Sequence, residues 1–444
     1  YHFMPQSGWM NDPNGLIFFN GQYHVFYQTN PYNGFWDCMH WGHAVSKDLV
    51  HWEYLPLALA PSEEYDDYQK GGCFSGSAIE HEGKLYVFYT ATANHGNGSE
   101  QSQCLAISED GINFEKYDGN PLFDAPEGIQ PDSFRDPKVW KHENKYYMVV
   151  GASRNNRGLA LIYESADLYH WNFLNVLAES RGEWGFMWEC PDFYPLDGKQ
   201  VLMISPQEME AEGLEFHNGN NTAFLIGNYD KEKLKFTREK VQSVDYGLDF
   251  YAPQTFQDGK GRRIIIGWMG MPDADEEYVN PTAETEGWQH CLTVPREVTY
   301  KNAMLYQYPV EELNGLRKAG VSVSGSDVEL PVNGPFDLDI KVKGEQGKIS
   351  LGENLFLDYQ DGNISLALSE KAGAGRKVRK AHIPSGKVEA LRILADTTAV
   401  EIYVNGGEVV FSTRYYPETD EQTVKVETAE VDGEVYKLKN CVME

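Results

Sequence analysis

Cationic residues are scarce: the 444-residue chain carries 38 Lys and Arg against 67 Asp and Glu, a formal net charge of −29. A surface of that sign repels polyanions, which excludes nucleic acid and anionic membrane as partners. A solvated acidic surface is the ordinary reason for such an excess. Cysteine is thin as well. The six residues at 38, 73, 104, 190, 291 and 441 are scattered, with no Cys-x-x-Cys, so there is neither a disulfide framework nor a zinc signature. Reduced thiols favour a cytoplasmic protein. No run of eighteen apolar residues is present to span a membrane as a helix. Long helical periodicity is also missing, whereas Gly (42), Pro (21), Tyr (27), Phe (21) and Trp (10) are plentiful, which predicts an all-β chain. No metal and no cofactor is expected. His40 and His43 flank Trp41 at a spacing that suits a strand poorly as a ligand pair, and no third ligand is evident.

What is abundant is repetition. Asp12, Ser75, Asp136, Glu189 and Ala252 lie 63, 61, 53 and 63 residues apart. Each is followed by a short turn and an apolar, aromatic strand, as in Asn20-Gly21-Gln22-Tyr23-His24-Val25-Phe26-Tyr27 and Asp197-Gly198-Lys199-Gln200-Val201-Leu202-Met203-Ile204. The first four units continue with a third strand, a turn carrying Asp48, Asp110, Asp167 or Asp230, and an edge strand with Trp or Phe. Four strands per unit, repeated radially, make a propeller blade, and radial closure removes exposed sheet edges. Five blades fill residues 1–300, and the five innermost strands bring their anchors to one mouth of the channel.

Beyond Pro295-Arg296-Glu297 the pattern changes. Residues 301–318 read as a short helical linker, and 319–444 as short alternating strands separated by turns, the pattern of a C-terminal β-sandwich. A basic run (Lys371, Arg376, Lys377, Arg379, Lys380) reads as a solvated hairpin, with a phosphate-binding loop as the alternative. Asn97, Asn220 and Asn363 begin glycosylation-type triplets, which chance alone produces often.

Three anchors are acids (Asp12, Asp136 and Glu189), with a Pro one or two residues on in Asn11-Asp12-Pro13, Arg135-Asp136-Pro137 and Glu189-Cys190-Pro191. A following Pro favours extended backbone, which would hold a carboxylate firmly at a strand end. Trp9, Gln28, Trp36, Trp41, Phe74, Ser75, Tyr251 and Trp268 are expected at the same mouth. Carboxylates walled by aromatics suit a sugar, whose C–H faces stack on rings and whose hydroxyls donate to acceptors. One protonated and one ionised carboxyl flanking a bond is the general design for glycoside cleavage. A lone Asp at a strand end more often caps a turn. Three at equivalent blade positions argue against coincidence.

These residues resemble glycoside hydrolase family 32, which contains invertases, sucrose-6-phosphate hydrolases and fructan hydrolases. The resemblance rests on Trp9-Met10-Asn11-Asp12-Pro13-Asn14-Gly15, Tyr27-Gln28-Thr29-Asn30-Pro31, Trp41-Gly42-His43, Phe74-Ser75-Gly76-Ser77, Arg135-Asp136-Pro137 and Trp188-Glu189-Cys190-Pro191-Asp192. It implies a retaining β-fructofuranosidase acting on sucrose, sucrose 6-phosphate or short fructo-oligosaccharides. In it Asp12 is the nucleophile, Glu189 the general acid and base, and Asp136 the stabiliser of the transition state. It also implies that Asn11, Gln28, Trp36, Trp41, Phe74, Ser75, Arg135 and Trp268 line the fructose pocket. Fructan hydrolysis or fructosyl transfer on the same site is the alternative. A non-catalytic sugar-binding propeller would lack the nucleophile or the acid, and both are present. Phe250-Tyr251-Ala252-Pro253-Gln254 and Gly267-Trp268-Met269-Gly270-Met271-Pro272 point to the bacterial sucrose or sucrose-6-phosphate hydrolase branch.

Overall fold

The computed structural model describes residues 1–67, 71–94, 98–270, 279–373, 376, 378–417, 419, 421–439 and 441. Asn97, Lys377, Met271 and Pro272 therefore lie outside the described residues. Five antiparallel sheets succeed one another along the chain, with inner strands Gly8–Phe19, Gly72–His81, Phe134–His142, Trp184–Leu196 and Tyr251–Gln257. They are the blades of a five-bladed propeller, and a β-sandwich follows at the C-terminus.

Two local devices repeat from blade to blade. Inner and second strands are joined by tight hairpins whose central residues sit at positive φ, as at Asn20-Gly21 (49° and 78°), Glu82-Gly83 (51° and 77°) and Asp197-Gly198 (47° and 81°). That geometry matches the right-handed twist of the paired strands. After the third strand, Asp48, Asp110, Asp167 and Asp230 each accept the backbone N–H groups two and three residues on, at 2.8–3.0 Å. These carboxylates replace the missing ladder partner of the turn, which is why an Asp recurs there.

The ring closes by a joint between its two ends. Gly8 and Trp9, opening blade one, pair in parallel with Trp288 and Gln289, which leave blade five. The outer strand of blade five, Met304–Pro309, pairs with Arg296–Lys301 and so occupies part of the segment expected as a linker. A 3₁₀ turn, Glu311–Leu316, comes only after it.

The sandwich differs from the expected row of short strands. Phe336–Leu351 and Glu421–Leu438 are long, and Glu421–Leu438 pairs with Arg317–Gly325, Val328–Asn333 and Phe336–Leu351. The strands therefore form one ten-stranded sheet. The alternation seen in the sequence marks only their buried stretches. A continuous apolar cluster joins blades one and five to the sandwich through Leu394, Tyr403, Val410 and Leu438. In the basic run Lys371 and Lys380 are exposed, but the arginines are not simply solvated: Arg376 pairs with Asp249, and Arg379 donates to Asn218 Oδ1 at 2.8 and 2.6 Å. Its arginines hold the sandwich to the propeller. Asn220 is buried, while Asn363 is exposed. All six cysteines are unpaired, and among the described residues no helix is long and apolar enough to cross a membrane.

Candidate active site

Every inner strand breaks its register at the same place. Two residues oppose one on the neighbouring strand at Asn11-Asp12, Phe74-Ser75, Asp136-Pro137, Cys190-Pro191 and Ala252-Pro253. Such a bulge bends the strand and re-aims side chains, here toward the channel mouth. Counted from the bulges, the three acids do not share one blade position, contrary to the sequence expectation. Asp12 is the second bulged residue, Asp136 the first, and Glu189 the residue before the bulge. The extended backbone expected before Pro is not found at Asp136 or at Cys190, while Asp12 is not left-handed. Asp136, Cys190 and Ala252, the first bulged residues of blades three to five, have left-handed φ of 67°, 44° and 46°, whereas Asn11 and Phe74 at the bulges of blades one and two do not.

The acids nonetheless meet. Asp12, Asp136 and Glu189 line one cavity of about 680 Å³, within the size range of small-ligand sites, and Asn11, Gln28, Trp36, Phe74, Ser75, Arg135, Tyr251 and Trp268 line it too. Trp41 does not. It is fully buried, and its indole N–H donates to the Phe74 carbonyl at 2.9 Å, so it supports the wall from behind. Its ring packs against Phe26 and Tyr89 instead. His43 is stacked on Phe26 and lies 3.0 Å from the His24 ring nitrogen, while His40 faces the Cys38 carbonyl. Neither lines the cavity.

Each acid has a distinct environment. Asp12 Oδ2 accepts from Ser75 Oγ at 2.6 Å and from Cys190 Sγ at 3.5 Å, and Oδ1 accepts from Asn11 Nδ2 at 3.2 Å. Trp9 Nε1 in turn donates to Asn11 Oδ1 at 2.8 Å and fixes that amide. Burial pushes the Asp12 carboxyl up to about 6; the Ser75 hydrogen bond opposes the rise and the Glu189 charge adds to it. Asp136 Oδ2 accepts from the Cys190 backbone N–H at 2.8 Å and from Cys190 Sγ at 3.6 Å. Burial raises its pKa, with Arg135 pulling it down and the Glu189 and Asp12 charges pushing it up. Glu189 Oε1 accepts from Arg135 Nε at 2.9 Å, and Oε2 from the Tyr251 hydroxyl at 2.6 Å. Arg135 is steadied by Gln101 at 3.3 Å and by Gln207 at 3.5 Å.

The walls are aromatic. Trp36 meets Phe74 edge-on at 6.3 Å, and His290 stands between Trp9 and Trp268 at 4.4 and 5.1 Å. Trp268 Nε1 is buried without a hydrogen-bond partner among the described residues. Sequence reasoning missed Gln101, Asp132, Gln207, Gln289 and His290, all of which line the cavity. They sit on second and third strands, on the closing strand Trp288–Gln289 and in loops, with no repeat signal. Only the Trp288-Gln289-His290 run, dense in sugar-binding residue types, could have pointed to them. Among the described residues no cluster of His, Cys, Asp and Glu is arranged to hold a metal ion.

Residues 2–309 match the glycosyl hydrolases family 32 N-terminal domain, and residues 353–441 match the family 32 C-terminal domain. The chain is 38% identical over 432 residues to sucrose-6-phosphate hydrolase of Bacillus subtilis, covering 94% of this chain and 88% of that one. It is equally 38% identical over 451 residues to raffinose invertase of Escherichia coli, covering 98% and 92%. Among solved structures it superposes on the β-fructofuranosidase of Bombyx mori with a TM-score of 0.89 at 34% identity, covering 100% and 94%. On sucrose-6-phosphate hydrolase from Lactobacillus gasseri the TM-score is 0.92 at 28% identity, covering 100% and 93%.

Proposed function

The chain belongs to glycoside hydrolase family 32 and is a β-fructofuranosidase, and on that premise we propose that it cleaves terminal β-fructosyl linkages of sucrose-type substrates by a retaining double displacement. Asp12 attacks the anomeric C2 while Glu189 delivers a proton to the departing oxygen, so the C2–O bond breaks as the Asp12–C2 ester forms. Glu189 then takes a proton from water, which attacks C2 and frees Asp12. Asp136 holds fructosyl hydroxyls and offsets positive charge at the ring as the bond breaks. The observation that carries this reading is that the three acids share one aromatic-walled cavity, with Cys190 bridging two of them, its thiol to Asp12 and its backbone N–H to Asp136.

The contacts support distinct roles. Three donors converge on Asp12, which favours the anion that attacks. Arg135 and Tyr251 orient Glu189 from two sides, as a proton-transfer group requires. The lining sets four carboxylates (Asp12, Asp132, Asp136, Glu189) against one described guanidinium, Arg135, which is already ion-paired. That balance favours a neutral sugar over a phosphosugar.

The domain division that accompanies the proposal is a catalytic propeller at 1–300, a linker at 301–318 and a sandwich at 319–444. The pairing of Met304–Pro309 extends the propeller to 309. Rates on sucrose, sucrose 6-phosphate, 1-kestose, inulin and levan test the substrate reading, with sucrose expected to exceed sucrose 6-phosphate and both polymers. Asp12→Asn should abolish turnover of every substrate. Glu189→Gln should spare a fructoside whose leaving group needs no proton. Equal loss on activated and ordinary substrates in Glu189→Gln would refute the role of Glu189.

A further inference from the structure

The same five inner strands that line the catalytic cavity frame a second one at the far mouth of the channel. Its volume is about 550 Å³, and it takes Leu16, Ala78, Lys138, Asp192 and Thr255, one from each inner strand, among its walls. At about 3.3 Å per residue, Lys141 lies roughly 16 Å down its strand from Asp136. The charge there opposes that of the molecule. In a chain with a net charge of −29, this cavity gathers Lys138, Lys141, Lys231 and Arg263 against the single carboxylate of Asp192.

Little of that positive charge is neutralised. Lys138 Nζ is 3.2 Å from Asp192 Oδ2, but the same oxygen also accepts from Thr255 N and Oγ1, each at 2.8 Å. Arg263 stacks its guanidinium 4.5 Å over the Tyr194 ring and reaches only Thr255 Oγ1, at 3.5 Å. Lys141 lies over the Tyr146 ring, and Lys231 Nζ is 3.2 Å from His142 Nε2. Among the described residues, none of Lys141, Lys231 and Arg263 has an ion-pairing carboxylate. The Tyr194 hydroxyl, on a residue only 2% exposed, is likewise without a partner. A buried polar group left unsatisfied is costly and marks a place where a ligand would complete the network. Trp140 and Tyr147, stacked at 5.8 Å, add an aromatic wall.

The geometry points to a binding site for a small phosphorylated sugar at this far mouth, distinct from the catalytic cavity. The cations would meet the phosphate, for which Arg and Lys supply strong charge-assisted hydrogen bonds. The aromatic wall would take the C–H face of the sugar.

The test is calorimetric titration of the full chain with glucose 6-phosphate, inorganic phosphate and glucose. Wild type should bind glucose 6-phosphate at least tenfold more tightly than glucose, and more tightly than inorganic phosphate. Arg263→Gln, and separately Lys141→Gln with Lys231→Gln, should each weaken that binding at least tenfold while sucrose hydrolysis stays within twofold of wild type. The surface double variant keeps the test open should Arg263→Gln fold poorly. No binding up to 10 mM, or binding unchanged in both variants, would overturn the site; the second result would assign the phosphate to the catalytic cavity instead.

Discussion

Burial sets the terms for Asp12, since the attacking carboxylate must carry its charge in a place that resists charge. With its carboxyl pushed up to about 6, it gains a proton as pH falls through 6 and can no longer attack. The acidic limb of kcat/KM should therefore fall near pH 6. Ser75→Ala removes a hydrogen bond that favours the anion, so its limb should move upward; an unchanged limb would separate Asp12 from the pH dependence. The same shift carries a cost in stability. Because the folded-state pKa exceeds the unfolded one, the folded protein holds the extra proton between about pH 4 and 6. Stability from this group is present below that window and is lost as pH rises through it. At pH 7 the loss is about 2 kcal/mol after allowance for solvent at the cavity. Asp12→Asn should then abolish turnover and raise Tm at pH 7, and a lowered Tm would contradict the sign.

At the scale of the element, the bulge does what a regular strand could not. Strict alternation would send two adjacent side chains to opposite faces, whereas the doubled position lets Asn11 and Asp12 both line the cavity. Ala252 shows the price in backbone geometry, at φ 46° and 1% exposed. A β-branched residue is strained there, so Ala252→Val should cost about 1–3 kcal/mol in urea unfolding and lower kcat by misplacing Tyr251. Full stability in that variant would show that the bulge can relax. Much of this architecture is legible in the chain, because hairpin turns and aromatic strands recur through local rules: Asn20-Gly21 and Asp48 announce themselves. The bulges do not. Register is decided between strands, so the sequence aligns Asp12, Asp136 and Glu189 as equivalent when they occupy three successive positions. Trp41 turns away from the cavity for the same reason, since its facing depends on the blade beside it. Gln101 and Gln207 leave no local trace, because their place beside Arg135 in the cavity wall is set by contacts between strands.

At the scale of the whole molecule, Arg296 ties the last blade to the sandwich. It is fully buried, 3.1 Å from Asp245 Oδ2 and 2.5 Å from Glu401 Oε2, and it also donates to Ser412 Oγ at 2.5 Å. Removing one member leaves a buried charge unmatched, so Arg296→Met should cost about 3–5 kcal/mol and split a single calorimetric unfolding transition into two. An undivided transition at the original temperature would deny the network that role. The joint where Gly8 and Trp9 lie beside Trp288 and Gln289 has another meaning. A hoop fastened by so short a clasp should open there first, and both sides of the clasp supply walls to the sugar cavity through Trp9, Gln289 and His290. A guest seated in that cavity therefore acts as a rivet across the seam. Amide exchange at Trp9 and Gln289 should slow when the cavity is filled, more than exchange at blade three does, so that occupancy and circular integrity rise and fall together.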